Sequence, residues 1–162
     1  MVFTAWKTLQ ELRKFREERT RERQSRIHAR QLDALGKLYE GLDKTQAYAQ
    51  LMTKSAIFEG ENTEEYPRLL QSALVEASRE FVAQRLLLPV DIVSQIETFI
   101  QKTTEGQINF ALAARTTTTD DRPQRAQYWT KAAEIAHKEL PELLQAIETA
   151  GRKIIHGETV QT

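Results

Sequence analysis

Hydrophobic residues recur every three or four positions along most of the chain, which is the spacing of one face of an α-helix. The clearest run extends from residue 32 to residue 56. It consists of Leu32, Leu35, Leu38, Tyr39, Leu42, Gln46, Ala49, Met52 and Ala56, all apolar or aromatic except the glutamine. No segment shows the period-two alternation of a half-buried β-strand. The pattern therefore predicts an all-helical protein.

Glycine, proline and polar residues divide this pattern into four helices. Gly60 suits the end of the first helix, and Pro67 suits the first turn of the second, where its missing N–H is not needed. Leu88-Pro89 predicts a break, because proline disfavours helical geometry in the residue before it. The polar run 116–121 predicts the loop before the last helix. The predicted helices cover about 31–58, 64–87, 90–115 and 122–156.

The last three helices each carry an apolar stripe. The stripes are Tyr66, Leu70, Ala73, Leu74, Ala77, Phe81 and Leu88; Ile92, Val93, Ile96, Phe99, Ile100, Phe110 and Ala114; and Tyr128, Trp129, Ala132, Ile135, Ala136, Leu140, Leu143, Leu144, Ile147 and Ile154. The third helix is predicted to continue through Gly106, whereas Pro141 is expected to kink or split the fourth. Gly36 and Gly41 in the first helix either allow another helix to pack closely against it or are exposed to solvent. Short connections predict an antiparallel up-down-up-down bundle over 31–158 with a long N-terminal helical extension, followed by a disordered tail at 159–162.

Charge is distributed unevenly between the N-terminal arm, residues 1–30, and the rest of the chain. The arm has nine basic and four acidic residues, hence +5, and because the whole chain has 23 of each, residues 31–162 carry −5. Residues 16–26 contain no apolar side chain, so this stretch is predicted to be a solvated helical extension. Nucleic acid is the least favoured partner, because acids dilute the basic field and residues 16–26 have no aromatic residue for base stacking.

A short apolar stripe precedes this charged stretch. Its members are Val2, Ala5, Trp6, Leu9 and Leu12. At 100° per residue they fall within an arc of about 120°, and Arg13 and Arg16 project to the same side. Such a surface needs a partner: a second copy of the protein, another protein, or the headgroup region of a membrane, where Trp6 and the arginines fit. The alternative is that Trp6 and Leu9 fold back onto the bundle of their own chain.

Few residues suggest chemistry. Cysteine is absent, and the six glycines form no phosphate-binding loop. Glu134 and His137 have the Glu-x-x-His spacing of carboxylate-bridged di-iron bundles, but that site needs a second such pair, and neither His28 nor His156 has a glutamate three residues before it. We therefore predict no cofactor, no metal and no enzymatic activity. No apolar run approaches the ~20 residues of a membrane span, so the expected location is the cytoplasm, with the inner face of the membrane as an alternative.

Residues 28–157 resemble a loose group of uncharacterised bacterial helical-hairpin proteins. The resemblance lies in residues 28–35 followed by Leu38-Tyr39, in Leu87-Leu88-Pro89, and in Trp129 followed by residues 140–144, Leu-Pro-Glu-Leu-Leu. The resemblance implies a helical fold, but it implies no activity and identifies no functional residue. Some members of the group have a membrane-spanning segment before the equivalent of His28, where this chain has only the short N-terminal stripe.

These patterns favour a non-enzymatic interaction or scaffold protein that self-associates, as a homo-oligomer, or docks through its N-terminal helix. The surface expected to make the contact comprises Val2, Trp6, Leu9, Leu12, Arg13 and Arg16. A peripheral membrane protein that uses the same basic amphipathic helix is the first alternative. Nucleic-acid binding through the basic arm is the second.

Overall fold

The computed structural model describes the backbone of residues 2–55, 65–115 and 122–155, and the side chains of residues 14–54, 65–115 and 122–154. The helices are α1 (Val2–Ser55), α2 (Glu65–Gln84), α3 (Val90–Arg115), α4 (Arg122–Glu134) and α5 (Leu140–Ile155). A π-helical segment, Ile135–Glu139, joins α4 and α5 into one rod. The described residues contain no strand. The predicted all-α up-down-up-down bundle with a long N-terminal helical extension is confirmed.

Two helical hairpins build the bundle. Helix α1 packs against α2, α3 packs against the α4–α5 rod, and the hairpins meet chiefly where α1 lies against α5. The largest fully buried apolar side chains come from all four rods: Leu38, Leu42, Leu70, Ile92, Ile96, Phe99, Ile135, Leu140 and Ile147. Every described member of the predicted stripes is buried or partly buried except Ala114. The three-to-four spacing therefore identified the core faces.

Ala114 was wrongly predicted to lie in the core, because it is exposed and Ala113 is buried in its place. The C-terminal half of α3 packs on the last rod, where Phe110 contacts Trp129 with ring centroids 5.3 Å apart. Ala113 lies two turns after Gly106, which faces Ile135. The side of α3 that meets the rod therefore carries Ala113, and Ala114 lies beside it.

The break at Leu88-Pro89 is confirmed. A 3₁₀ turn, Arg85–Leu87, ends at Leu88, whose backbone is extended at φ −95° and ψ 146°. The Leu88 N–H donates to the carbonyl of Arg85 at 3.3 Å, and α3 begins with the Val93 N–H donating to the carbonyl of Pro89 at 3.0 Å. Pro89 thus ends the preceding helix, and its backbone carbonyl accepts a hydrogen bond in the first turn of α3.

Helix α3 continues through Gly106, as predicted, because the glycine makes room for a neighbour. A Cβ added there would lie 3.2 Å from Cγ2 of Ile135 in the π segment. Both residues are buried. The missing side chain therefore lets α3 and the last rod approach closely, which offsets the cost of about 1 kcal/mol that a mid-helix glycine carries relative to alanine.

Pro141 does not split the last rod, contrary to one of the two expected outcomes. The rod instead widens just before it: the Leu140 N–H donates to the carbonyl of Ile135, five residues back instead of four. In a regular α-helix the proline ring would crowd the carbonyl of His137. One turn of π-helix accommodates the extra residue, and helical conformation continues to Ile155.

Several sequence predictions fall outside the described residues. They are Ala56 as the last member of the first stripe, the helix end at Gly60, the loop 116–121 and the disordered tail 159–162.

Truncation of Phe99 tests the position of the core. Phe99 is fully buried, so Phe99→Ala removes its burial and leaves a cavity that we expect to lower the free energy of unfolding by about 3–5 kcal/mol. The matched control is Val82→Ala, at a side chain 74% exposed, which should change that free energy by no more than about 0.5 kcal/mol. Urea denaturation followed by circular dichroism measures both. Equal effects of the two variants would contradict the core assignment.

Candidate interaction surface

The N-terminal half of α1 stands clear of the bundle. Every described side chain from Lys14 to Ile27 is exposed, and the first buried one is Ala34. Helix α1 is nevertheless continuous from Val2 to Ser55. At 1.5 Å per residue, the 28 positions from Trp6 to Ala34 correspond to about 42 Å along the helix axis. The alternative in which Trp6 and Leu9 fold back onto their own bundle is therefore contradicted by the continuous helix.

Local side-chain pairs support this exposed stretch. A guanidinium nitrogen of Arg26 lies 3.8 Å from a carboxylate oxygen of Glu22, and the Arg19 guanidinium lies 4.7 Å from the centre of the Phe15 ring. Both pairs join residues four apart, where helical side chains meet. A helix that is polar on nearly all sides depends on such pairs because it has no core to pack against. This part of α1 therefore has the character of a spacer.

The predicted contact residues all lie on α1. The backbone at Val2, Trp6, Leu9, Leu12 and Arg13 is helical, as the stripe requires, and their side chains are outside the described set. Arg16 is described and exposed. It lines a shallow surface together with Arg19, Arg23 and Arg26, with Glu22 at its edge. The structure thus brings four arginines onto one side of the spacer.

An apolar groove lies where the spacer leaves the bundle, and sequence analysis had not identified it. This basal groove runs between α1 and α5 and has a volume of about 450 Å³. Its lining residues are Leu32, Leu35, Gly36, Tyr39, Ile147 and Gly151, with Glu148 and Arg152 at the rim. The groove lies at the level where α1 leaves the bundle, beside the last described turns of α5.

The polar atoms at the rim of the basal groove are paired with one another. The Tyr39 hydroxyl donates to Oε2 of Glu148 at 3.4 Å, and Arg152 donates to Oε1 of the same carboxylate at 2.6 Å. Burial, and then the nearby Glu148 carboxylate, raise the pKa of Tyr39 above its ordinary value. Tyr39 therefore stays a neutral donor at physiological pH.

Two glycines in the basal groove have different reasons to be there. A Cβ on Gly151 would lie 2.5 Å from Cδ2 of Leu35, so this glycine lets α1 and α5 approach. A Cβ on Gly36 would meet no atom within 4 Å. Of the two glycines noted in the first helix, Gly41 faces α2, where an added Cβ would be in ordinary contact at 3.4 Å from Cβ of Ala77, and Gly36 is the exposed one. Packing among the residues that the structure describes gives no reason for glycine at position 36.

The same end of the bundle carries a second apolar surface. Val82, Leu86 and Val90 flank the turn between α2 and α3 and are 74%, 98% and 84% exposed. Helix α2 runs antiparallel to α1, so this turn lies beside the base of the spacer. Sequence reasoning missed these residues because it followed only the core stripes. Their mutual spacing of four residues, off the core face of α2, was the available signal.

The Glu-x-x-His pattern forms no site among the described side chains. Nε2 of His137 lies 2.9 Å from Oγ1 of the buried Thr53, whereas Glu134 pairs with Lys131 at 3.7 Å. Burial, and then the charge of Lys54, lower the pKa of His137. No group of three or more metal-ligating side chains gathers in the described part of the chain.

The strongest charged cluster lies at the π segment and ties α3 to the last rod. Glu139 accepts from Lys102 at 2.8 Å on one carboxylate oxygen and from Lys131 at 2.9 Å on the other. Hydrogen bonds first from Lys102 and then from Lys131 lower the pKa of Glu139 below its ordinary value of 4.5. Because Glu139 is negatively charged and both lysines are positively charged, the cluster is an ion-pair network that holds α3 against the last rod.

Comparison of the chain with protein-family models, with curated proteins and with solved structures found no match. The likeness of residues 28–157 to bacterial helical hairpins therefore stays a resemblance of sequence pattern. Within the helices that the structure describes, no stretch is both long and apolar enough to cross a lipid bilayer.

Alanine at position 36 tests whether the chain itself needs that glycine. Because Gly36 is exposed and mid-helical with free space around its Cβ position, Gly36→Ala should raise the free energy of unfolding by about 0.5–1 kcal/mol. Gly106→Ala, which pushes against the buried Ile135 at 3.2 Å, should gain less or lose stability. The free energy of unfolding of each variant is measured by chemical denaturation, at a protein concentration low enough to keep the chain monomeric. A loss of stability in Gly36→Ala would contradict the free space described.

The Glu139 cluster predicts a pH dependence of stability. Because its pKa is lower in the folded chain than in the unfolded one, Glu139 contributes stability that is present above pH 4.5 and is lost as the pH falls through the folded-state pKa. Glu139→Gln should therefore lower the melting temperature at pH 7, and its difference from the parent should shrink towards zero on acidification. Glu105→Gln is the control, since Glu105 binds only Lys102 of its own helix and should have the smaller effect. A difference between Glu139→Gln and the parent that stays constant from pH 7 to pH 3 would exclude this role.

Proposed function

We propose that this protein is a non-enzymatic interaction or scaffold protein that self-associates through its N-terminal helix. One observation carries the proposal: a continuous helix of 54 residues holds the N-terminal stripe about 42 Å from the first residue that the bundle buries. Every described side chain of the charged spacer between them, from Lys14 to Ile27, is exposed. The described part of the bundle therefore lies beyond the reach of the stripe of its own chain.

Burial of the stripe supplies the driving force. Trp6, Leu9 and Leu12 are large apolar residues on a helical backbone. Covering one such side chain is worth about 1.5–3 kcal/mol. Two or three of them buried in a partner surface reach the range of a specific association, even after the cost of ordering the partners.

Charge supports a second copy as the partner. The arm carries +5, and residues 31–162 carry −5 because the segments 56–64, 116–121 and 156–162 have six acidic residues and no lysine or arginine, so the arm of one copy is attracted to these segments of another. The attraction should weaken as salt screens it. An arm placed beside another arm would meet repulsion, which favours contact between an arm and a bundle.

A peripheral membrane protein is the second candidate, and one observation favours it. Arg16, Arg19, Arg23 and Arg26 share one exposed side of the spacer directly after a stripe that contains Trp6. Anionic headgroups attract such a basic surface, and tryptophan is at home at the interface. Nucleic-acid binding through the same arginines is weaker, because residues 16–26 hold no aromatic side chain.

Charge introduced into the stripe tests the proposal. We expect the parent protein to be larger than its 18.7 kDa monomer by light scattering at micromolar concentration, and Trp6→Glu with Leu9→Glu to be monomeric. Loss of two buried side chains should weaken association by about 100-fold or more. Phe15→Glu with Ser25→Glu is the matched control: both residues are exposed on the same arm outside the stripe, and the pair makes the same change of charge, so this variant should keep the parent mass.

Two other measurements separate the candidates. A parent protein that stays at 18.7 kDa but sediments with anionic vesicles, with binding that weakens in salt, would replace self-association with membrane docking. A parent monomer that shifts any DNA duplex with a steep salt dependence would replace it with nucleic-acid binding. A double variant with the parent's mass would show that the stripe makes no contact between copies.

A further inference from the structure

We draw no further inference here: the strongest candidate, the basal groove between α1 and α5, carries none, because nothing in the part of the chain that the structure describes shows what covers it.

Discussion

The structure depends on one mismatch of length: α1 is much longer than the bundle that covers it. From Ala34 to Thr53 its apolar face is buried against α2 and the last rod. Upstream of Ala34 the same helix continues through 32 further residues to Val2. Helix formation is costly to nucleate and cheap to extend, so the bundle supplies a formed turn from which the charged spacer propagates. Because the helical turns inside the bundle already provide a nucleus, local ion pairs are enough to stabilise the helical conformation of the spacer.

Most of the fold follows from the spacing of apolar residues, and the exceptions have local causes. Periodicity identifies a face but not which neighbour covers it, so Ala114 was chosen over Ala113 at a point where α3 packs on the last rod. Pro141 was rightly recognised as incompatible with a regular helix. Sequence could not show that a π turn, instead of a split, would accommodate it, because the spacing of residues does not reveal which carbonyl accepts the hydrogen bond of the Leu140 N–H.

The candidate site was predictable in one half only. Composition and spacing identify the stripe and the charged spacer, because both differ from the core pattern. The basal groove was not predictable, since Leu32, Leu35 and Ile147 repeat the core spacing without interruption. What makes them a groove is their position next to Gly36 and Gly151, at the level where α1 departs from the bundle. Gly36 was the one local signal, and its meaning depends on knowing that its surroundings are open.

A stiff spacer changes what an apolar stripe can bind. On a flexible linker of the same length, the stripe would reach its own bundle at a high effective concentration and be covered there. On a continuous helix that concentration is close to zero, because the spacer holds the two surfaces about 42 Å apart. The ion pair of Glu22 with Arg26 therefore has a consequence beyond local stability: each pair that stiffens the spacer helps to keep the N-terminal stripe away from the bundle of its own chain.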